Sequence, residues 1–342
     1  MTQDWLLVET LGEQPMVVAQ GRQMKNFVPI VVFLRRNPNL AAIQTAIAET
    51  VTSSSGLTTV TPKTNRVIRT EPVAMSDGHI HAVHVWCGPT DDQPPERPVP
   101  GPLKWDLTLA EGAATVEYFV NAGMDATAEP TTGRALADDM PSRSLNADEA
   151  KALSLSIDVA PGRTYCTTWD FIDKQGTFRR VGWCARTAME IVEDGTEHLI
   201  ARAMNVVEEV SGSPSPQANL AHRILDGMSH PGVYRAIIDL TTWMPLKWID
   251  DPCPYFNWRG RVQLHPEDLE HVAPRMREEI KSGMTSAILR LPGNDGGWVS
   301  LHVTISRVKL DEGIYGGVVT VRPPTAVELA DAGLVTSDEI SS

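Results

Sequence analysis

The pattern of apolar and polar positions predicts short strands and a small number of helices. Apolar and polar residues alternate over 299–305, which is typical of an antiparallel strand with one buried face. Apolar residues recur instead at helical spacing at Leu40, Ile43, Ile47 and Val51. This spacing places them on one face of a helix, so the sequence predicts a helix there.

The same order of signals recurs in each third of the chain. Two strand patterns are followed by a helical pattern and then by three strand patterns. Each third also carries a hairpin signal late in its length, at 76–78, 173–176 and 294–297. In the last third, a helix is predicted over 266–280, and Pro274 is expected to kink or split it. The repeated order favours an α+β architecture in which each antiparallel sheet is covered by helices.

Two stretches have the composition of linkers. Residues 91–102 contain five prolines, which disfavour helix and central strand, and residues 211–217 are small, polar and uncharged. The division gives three tandem modules and a flexible acidic tail, at residues 1–90, 103–209, 218–325 and 326–342.

Charge, hydropathy and cysteine content exclude several classes of protein. The chain has 30 basic and 43 acidic residues, a net charge of −13, which disfavours nucleic-acid binding. Its longest nearly apolar stretch, 27–34, is far shorter than the roughly 20 residues of a membrane-spanning helix. There is no secretory signal pattern at the start. The four cysteines, Cys87, Cys166, Cys184 and Cys253, are scattered, so we expect a cytoplasmic protein with reduced thiols.

A run of potential metal ligands does not have the geometry of a metal site. It consists of His79, His81, His84 and Cys87 on one predicted strand. His79 and His81 would share a face about 7 Å apart, whereas His84 would point to the other face. Zinc needs four close ligands, so we expect no bound metal and interpret the histidines as solvent-facing.

The sequence carries no recognised signature of an enzyme or of a cofactor site. Nucleophile-elbow, P-loop, zinc-protease and kinase patterns are absent. The glycine-rich stretch at 293–297 joins two strands and opens no helix, so it predicts a hairpin rather than a phosphate-binding loop. We therefore expect a non-enzymatic protein without a cofactor.

Three segments of the last third resemble a PAS domain. The stretch GVYRAIID at 232–239 resembles its first strand, and VQLHPEDL at 262–269 resembles the segment that opens its last helix. RLP at 290–292 and GWV at 297–299 resemble its penultimate hairpin. The first two modules are similar to PAS and GAF domains in the order of their elements. The whole chain resembles an uncharacterised three-domain PAS/GAF-like family of mycobacteria and related actinobacteria.

The resemblance raises two cofactor hypotheses, which the residues do not favour. Some PAS domains hold haem through a helix histidine, but His265 beside Pro266 is more simply a turn histidine that caps or packs locally. Light-sensing PAS domains attack flavin with a cysteine in an Asn-Cys-Arg context, whereas Cys253 lies between two prolines. Neither haem nor flavin is therefore expected.

Aromatic residues are concentrated in the last module. They are Trp243, Trp248, Tyr255, Phe256, Trp258 and Trp298. Small-molecule sites are mostly apolar, so we expect any ligand site to lie against Trp248, Tyr255, Phe256 and Trp258. The alternative is that the same side chains simply fill a packed core.

The resemblance implies a sensory or signalling role. We expect a protein that binds a small ligand, protein partners, or both through its tandem modules, with no output domain in the chain. The alternative is a purely protein-binding adaptor or scaffold with empty domains, and an enzyme with an unrecognised site is less favoured. The sequence identifies neither the partner nor the ligand, and a homo-oligomer is compatible with it.

Limited proteolysis tests the three-module division. We expect the first stable fragments to end in or near residues 91–102 and 209–217, where proline and Ser/Gly density is highest. Mass spectrometry of the fragments locates the cuts. Early cleavage within 40–51 or 299–305 would contradict the division.

Overall fold

The computed structural model describes residues 4–140, 147–173, 175–208, 224, 227–259 and 261–334. Its strands are β1 (Leu6–Glu9), β2 (Met16–Gln20), β3 (Gln23–Pro29), β4 (Leu57–Thr61), β5 (Arg66–Ala74), β6 (Ile80–Pro89), β7 (Gly101–Asp106), β8 (Glu111–Ala114), β9 (Thr164–Ile172), β10 (Phe178–Ile191), β11 (Glu197–Val207), β12 (Tyr234–Ile238), β13 (Pro245–Trp248), β14 (Met284–Pro292), β15 (Trp298–Asp311) and β16 (Ile314–Arg322). Its α-helices are α1 (Ile30–Phe33), α2 (Leu40–Ser53), α3 (Val116–Ala122), α4 (Ala147–Ile157), α5 (Ala273–Glu279) and α6 (Ala326–Asp331). None of the helices in these ranges has the length and apolar character needed to span a bilayer.

The strands form three antiparallel sheets, one for each module. The second sheet has the order β8-β7-β11-β10-β9 and the third has β13-β12-β16-β15-β14, so the first strand of each module lies between the second and the last. The first sheet, β3-β2-β1-β6-β5-β4, repeats that arrangement and adds one strand at its edge. The predicted α+β class, with three tandem modules each built on an antiparallel sheet, is confirmed.

The helix predicted from the spacing of residues 40–51 is confirmed as α2. Ile43 and Ile47 on its apolar stripe are buried in a core with residues of the first sheet, because the helix lies across one face of that sheet. The helix ends at Ser54, whose φ of 52° is left-handed and incompatible with a further helical turn. Sequence periodicity was sufficient here because the helix is amphipathic.

The alternating pattern at 299–305 is confirmed as part of β15. Leu301, Val303 and Ile305 are buried in the core of the last module, whereas the polar residues between them are only partly covered. β15 pairs with β14 and β16 on its two sides. The strand is therefore central to its sheet.

The predicted interruption at Pro274 takes the form of a wide turn rather than a break. A π turn over Asp268–Val272 leads directly into α5, and Pro274 occupies the first turn of that helix. Proline lacks the N–H that would continue regular α-helical bonding across this point. The wider turn lets the chain continue in a helical direction without that bond.

The expected linkers and tail are partly outside the described residues. Of the linker predicted over 91–102, residues 91–100 form no strand or helix, whereas residues 101–102 begin β7. The carbonyl of Pro95 accepts a hydrogen bond from the Trp5 indole at 2.9 Å. Residues 211–217 and 335–342 lie outside the described residues. The segment expected to begin the tail forms α6, which is capped by Thr325 and Glu328.

The described residues group into two compact units. The first comprises those within Met1–Thr108, Gly112–Gly133 and Val159–Pro214, and so contains the first two sheets. In it, one face of the first sheet packs on α2, and a second core joins that sheet to Cys184, Met204 and Val206 of the middle sheet. A buried ion pair also links the sheets, with Arg186 Nε 2.6 Å from Glu9 Oε1.

Two of the histidines interpreted as solvent-facing are buried, and that interpretation was wrong for them. His79 is exposed, but His81 Nδ1 lies 3.1 Å from the Ala203 carbonyl oxygen of the middle sheet. His84 packs edge-to-face against Trp5. The neighbouring sheet and the Trp5 side chain cover these histidines, which strand periodicity alone does not reveal. Within the described ranges, no three His, Cys, Asp or Glu side chains are arranged to hold a metal ion.

The second unit contains the last sheet, which is covered on both faces. It comprises the described residues within Leu109–Glu111, Arg134–Asp158 and Ser215–Ser342. One face of the sheet carries a large aromatic core, and the other carries Ile237, Leu246 and Ile249. These last residues pack against Leu153 of α4. The segment Arg134–Asp158 precedes β9 of the middle sheet in sequence, yet it covers the last sheet.

A buried ion pair fixes α4 to the last sheet. Lys247 of β13 lies 2.9 Å from Glu149 of α4, and their side chains are 0% and 3% exposed. Burial lowers the pKa of Lys247, and the opposing Glu149 carboxylate favours its charged form. A buried charge that loses its partner is strongly destabilising, so the two residues depend on each other.

Substitution of Glu149 tests this dependence. We expect Glu149→Gln to lower the free energy of unfolding by about 3–5 kcal/mol, because it removes the carboxylate charge that faces the buried Lys247 ammonium. The control is Glu278→Gln, which breaks the exposed pair with Lys281 and should cost less than about 1 kcal/mol. Urea denaturation measures both. Equal effects of the two substitutions would show that the buried pair has no special role.

The buried His81 predicts a loss of stability at acidic pH. Burial, reinforced by the charge of Arg202, lowers its pKa from 6.5 to about 4. Between these values the unfolded chain binds a proton that the folded protein does not, so stability falls as the pH drops from about 6.5 to about 4. The shift corresponds to roughly 3 kcal/mol for this one group.

His81→Gln isolates that contribution. We expect the variant to lose less stability than the wild type between pH 7 and pH 4.5, because glutamine does not titrate there. The exposed His79→Gln is the control and should retain the wild-type dependence. Urea denaturation midpoints at the two pH values provide the comparison. A pH dependence unchanged by His81→Gln would refute the assignment.

Candidate functional site

Three of the four residues predicted to contact a ligand lie in one buried core. Trp248, Phe256 and Trp258 are 7%, 6% and 5% exposed and belong to the aromatic core of the last module. The rings of Trp248 and Trp258 meet edge-to-face with centroids 5.5 Å apart. Tyr255 is 38% exposed and contacts Tyr234 instead, at 5.8 Å. The structure thus separates Tyr255 from the other three.

The backbone explains how these side chains meet. Trp248 closes β13 and pairs with Ala236 of β12, and both belong to the core on the same face of the sheet. The segment that follows β13 returns across that face. It is held there by a bridge between Phe256 and Gly293. The aromatic residues are therefore brought together by a hairpin and an irregular crossing segment, not by one regular element.

The indole of Trp248 carries a buried polar group in this otherwise apolar core. Its Nε1 is buried and has no hydrogen-bond partner among the described residues. Buried indole N–H groups normally find an acceptor, and leaving one unpaired costs about 1–3 kcal/mol. An oxygen acceptor supplied by a ligand or by water would remove that cost. This donor therefore gives the aromatic core a polar contact point for a bound molecule.

The thiol in this core is not poised for covalent chemistry. Cys253 is buried, and burial raises its pKa to about 11. At neutral pH the thiol is therefore protonated, and the thiol is a much weaker nucleophile than the thiolate. Cys253 acts here as an apolar packing residue.

His265 has the local structural role expected from the sequence. Its Nδ1 accepts a hydrogen bond from the backbone N–H of Glu267 at 3.3 Å, which caps the start of the helical segment. Its ring packs edge-to-face against Trp298, with centroids 5.1 Å apart. The capping and packing interpretation is confirmed.

An ion-pair network links two of the segments that resemble a PAS domain. The backbone N–H of Arg290 donates to Asp268 Oδ2 at 2.7 Å, and its guanidinium lies 2.6 Å from Asp268 Oδ1. The same guanidinium also reaches Glu267. Asp268 of the HPED segment is only 5% exposed, and its carboxylate is paired with Arg290 of the RLP strand. Their separation in sequence conceals this pairing.

A second contact joins the aromatic core to the segment Arg134–Asp158. The Arg259 guanidinium lies over the Trp258 ring, 4.4 Å from its centroid, and 2.9 Å from Asp138 Oδ1. Ala135 and Ala137 of the same segment lie in the aromatic core. A change at the core can therefore reach this segment through direct contacts.

Sequence reasoning missed two further aromatic residues of interest. Trp169 and Trp183 of the middle module are 6% and 4% exposed, and both indole Nε1 atoms lack a partner among the described residues. They lie 14 residues apart in sequence, on β9 and β10. Aromatic density drew attention to the last module, whereas this pair forms only when the two strands align.

Comparison with solved structures gives one extensive match. A crystal structure of an uncharacterised protein from Mycobacterium tuberculosis is 49% identical, with a TM-score of 0.87, and the match covers 98% of this chain and 100% of that chain. A sensory box histidine kinase/response regulator from Burkholderia thailandensis is 14% identical over 31% of this chain and 76% of that chain, with a TM-score of 0.23. An RNA-binding light-oxygen-voltage receptor is 10% identical over 71% and 100%, with a TM-score of 0.25. Likeness as low as in the last two carries no weight for function.

Family comparison covers nearly the whole chain. A search of curated proteins gives no match. Three family models match consecutive parts of the sequence: the Rv3651-like N-terminal model at residues 4–96, the middle-domain model at 99–208 and the C-terminal-domain model at 218–332. Together with the extensive structural match, they show that this chain belongs to the Rv3651-like family.

Proposed function

We propose that the protein is a non-enzymatic, cytoplasmic sensory protein that binds a small neutral ligand in the aromatic core of its C-terminal module. The observation that carries the proposal is the buried Trp248 indole N–H, which has no acceptor among the described residues. It is surrounded by aromatic and aliphatic side chains. The resemblance of residues 232–299 to a PAS domain supports a sensory role for the same module.

The surroundings define the chemistry of the ligand. The core around Trp248 is apolar, and two arginines near it, Arg290 and Arg259, are already paired with Asp268 and Asp138. A charged ligand would lose its hydration and would have to compete with these ion pairs. A flat, neutral molecule with one oxygen acceptor would pack against the aromatic rings and accept the indole hydrogen bond.

The contacts around the core provide a path for a signal. Arg259 connects the Trp258 ring with Asp138, and the segment that contains Asp138 covers the last sheet. A ligand that moves Trp258 would therefore disturb this pairing. With no output domain recognised in the chain, the change would be read by a protein partner.

A second candidate function is that of a protein-binding adaptor with empty domains. Leu269 and Trp298 are 53% and 49% exposed, and both lie beside His265. Exposed apolar side chains occur at protein-contact surfaces. A protein partner or a second copy of the chain would cover them.

Native mass spectrometry of the freshly purified full-length protein tests the ligand proposal. We expect the wild type to carry a small molecule, and Trp248→Phe to weaken its retention about tenfold, because the indole hydrogen bond is lost while a smaller aromatic ring remains. Trp243→Phe is the matched control. Trp243 is a buried tryptophan of the same core, but its Nε1 is not a buried donor that lacks a partner. It should alter retention less than about threefold.

Two outcomes would contradict the ligand proposal. The first is a wild-type protein that retains no small molecule although its mass spectrum shows the charge states of a folded protein. The second is equal loss of the molecule in Trp248→Phe and Trp243→Phe, with both variants folded by circular dichroism. Either result would leave the adaptor as the better supported function.

A further inference from the structure

We propose that the middle module holds a second small-molecule site, in which the indole N–H groups of Trp169 and Trp183 bind the oxygen acceptors of a flat, neutral molecule. This site belongs to the first compact unit and does not depend on the proposed C-terminal site. It rests on the geometry of two adjacent strands.

The register of β9 and β10 brings the two indoles together. Trp169 lies opposite Val181, and Trp183 lies opposite Thr167, so the two tryptophans occupy neighbouring positions on one face of the sheet. Their ring centroids are 4.9 Å apart, and the ring planes are inclined by 40°. Both side chains thus belong to a single aromatic cluster.

Helix α3 supplies the next wall of this cluster. The ring of Tyr118, the third residue of α3, meets the Trp183 ring edge-to-face with centroids 5.5 Å apart. Tyr118 is fully buried. The cluster therefore lies between the sheet and a helix, where the flat faces of the rings can contact an apolar molecule.

The polar groups next to the cluster are satisfied, in contrast to the two indoles. Asn205, directly opposite Trp183 on β11, donates from Nδ2 to the Tyr118 carbonyl at 3.0 Å. Its Oδ1 accepts from Asn121 Nδ2 at 3.0 Å. The fold thus provides partners for a buried amide at this place but none, among the described residues, for either indole N–H.

Two donors in one cluster without a partner among the described residues point to an acceptor supplied by a bound molecule. Nearly all buried polar groups in proteins have a partner, and each exception calls for a specific explanation. One molecule with two oxygen atoms can satisfy both donors. Such a molecule would gain two hydrogen bonds without displacing any within the protein.

The charges nearby favour a neutral molecule. The arginines of β10 closest in sequence to Trp183 are Arg179, Arg180 and Arg186. They already pair with Asp173, Asp170 and Glu9, at 2.6 Å each. An anionic ligand would have to compete with these carboxylates. A lactone, a cyclic ketone or a quinone-like molecule would place neutral oxygen atoms on the indoles and an apolar body against the rings.

The experiment compares two flat probes on the full-length protein. Coumarin is neutral and has two adjacent oxygen atoms, whereas naphthalene has a similar shape and no acceptor. Indole ¹H–¹⁵N resonances report on both, and Trp169→Phe and Trp183→Phe each identify one resonance by its loss. We expect coumarin, but not naphthalene, to move the Trp169 and Trp183 N–H resonances downfield.

The variants measure the contribution of each hydrogen bond. We expect Trp183→Phe and Trp169→Phe to weaken coumarin binding about tenfold each and to leave naphthalene binding within about twofold. Trp248→Phe, in the C-terminal module, should leave the response of Trp169 and Trp183 unchanged. The failure of the C-terminal proposal can therefore be distinguished from the failure of this one.

Three results would overturn the proposal. They are resonances of Trp169 and Trp183 that coumarin does not move, equal responses to coumarin and naphthalene, and a coumarin response confined to Trp248. The first result is expected if water molecules permanently accept the hydrogen bonds of the two indole N–H groups. If a variant does not fold, the comparison of the two probes on the wild-type protein still decides.

Discussion

A sheet with two apolar faces must be covered on both, and this constraint determines how the chain is organised. The last sheet presents Trp248 on one face and Leu246 on the other, and both are buried. The aromatic segment after β13 covers the first face, and α4 covers the second. The cover of the second face comes from a segment that lies between strands of the middle sheet in sequence. The last module is therefore completed by residues from outside its own strands.

Buried charges show how specific this arrangement is. Lys247 and Glu149 form an ion pair with almost no exposure, and Glu9 pairs with Arg186 between the sheets of the first unit. Such pairs add little net stability compared with apolar residues, but a mispaired arrangement would leave a charge buried alone. They therefore oppose any packing other than the observed one. Hydrophobic burial supplies the driving force, and these pairs select the partner surfaces.

The candidate sites are places where buried polar side chains lack a hydrogen-bond partner among the described residues. Most buried polar side chains in the described residues are paired, as Asn205 and Asp268 illustrate. The indoles of Trp169, Trp183 and Trp248 are exceptions, and each lies in an aromatic cluster against a sheet. An unpaired donor in an apolar setting is unfavourable in the empty protein and favourable once an acceptor is bound. Both proposals rest on this difference.

The local elements of this protein can be predicted from the amino-acid sequence alone. The helix at 40–51 and the strand at 299–305 follow from the spacing of apolar residues, because each element has one buried face whose period is visible in the sequence. The α+β class and the three tandem modules follow from the repeated order of those elements. The aromatic cluster around Trp248 was also predictable, because its members lie close together in the chain.

Which surfaces contact each other is visible only in the folded protein. His81 is buried by a neighbouring sheet, Tyr255 stays exposed beside Tyr234, and the segment Arg134–Asp158 covers the last sheet. The pairing of Trp169 with Trp183 depends on strand register. These outcomes have one physical reason: periodicity records that a face is apolar, but not which distant face covers it or whether a buried donor finds an acceptor there.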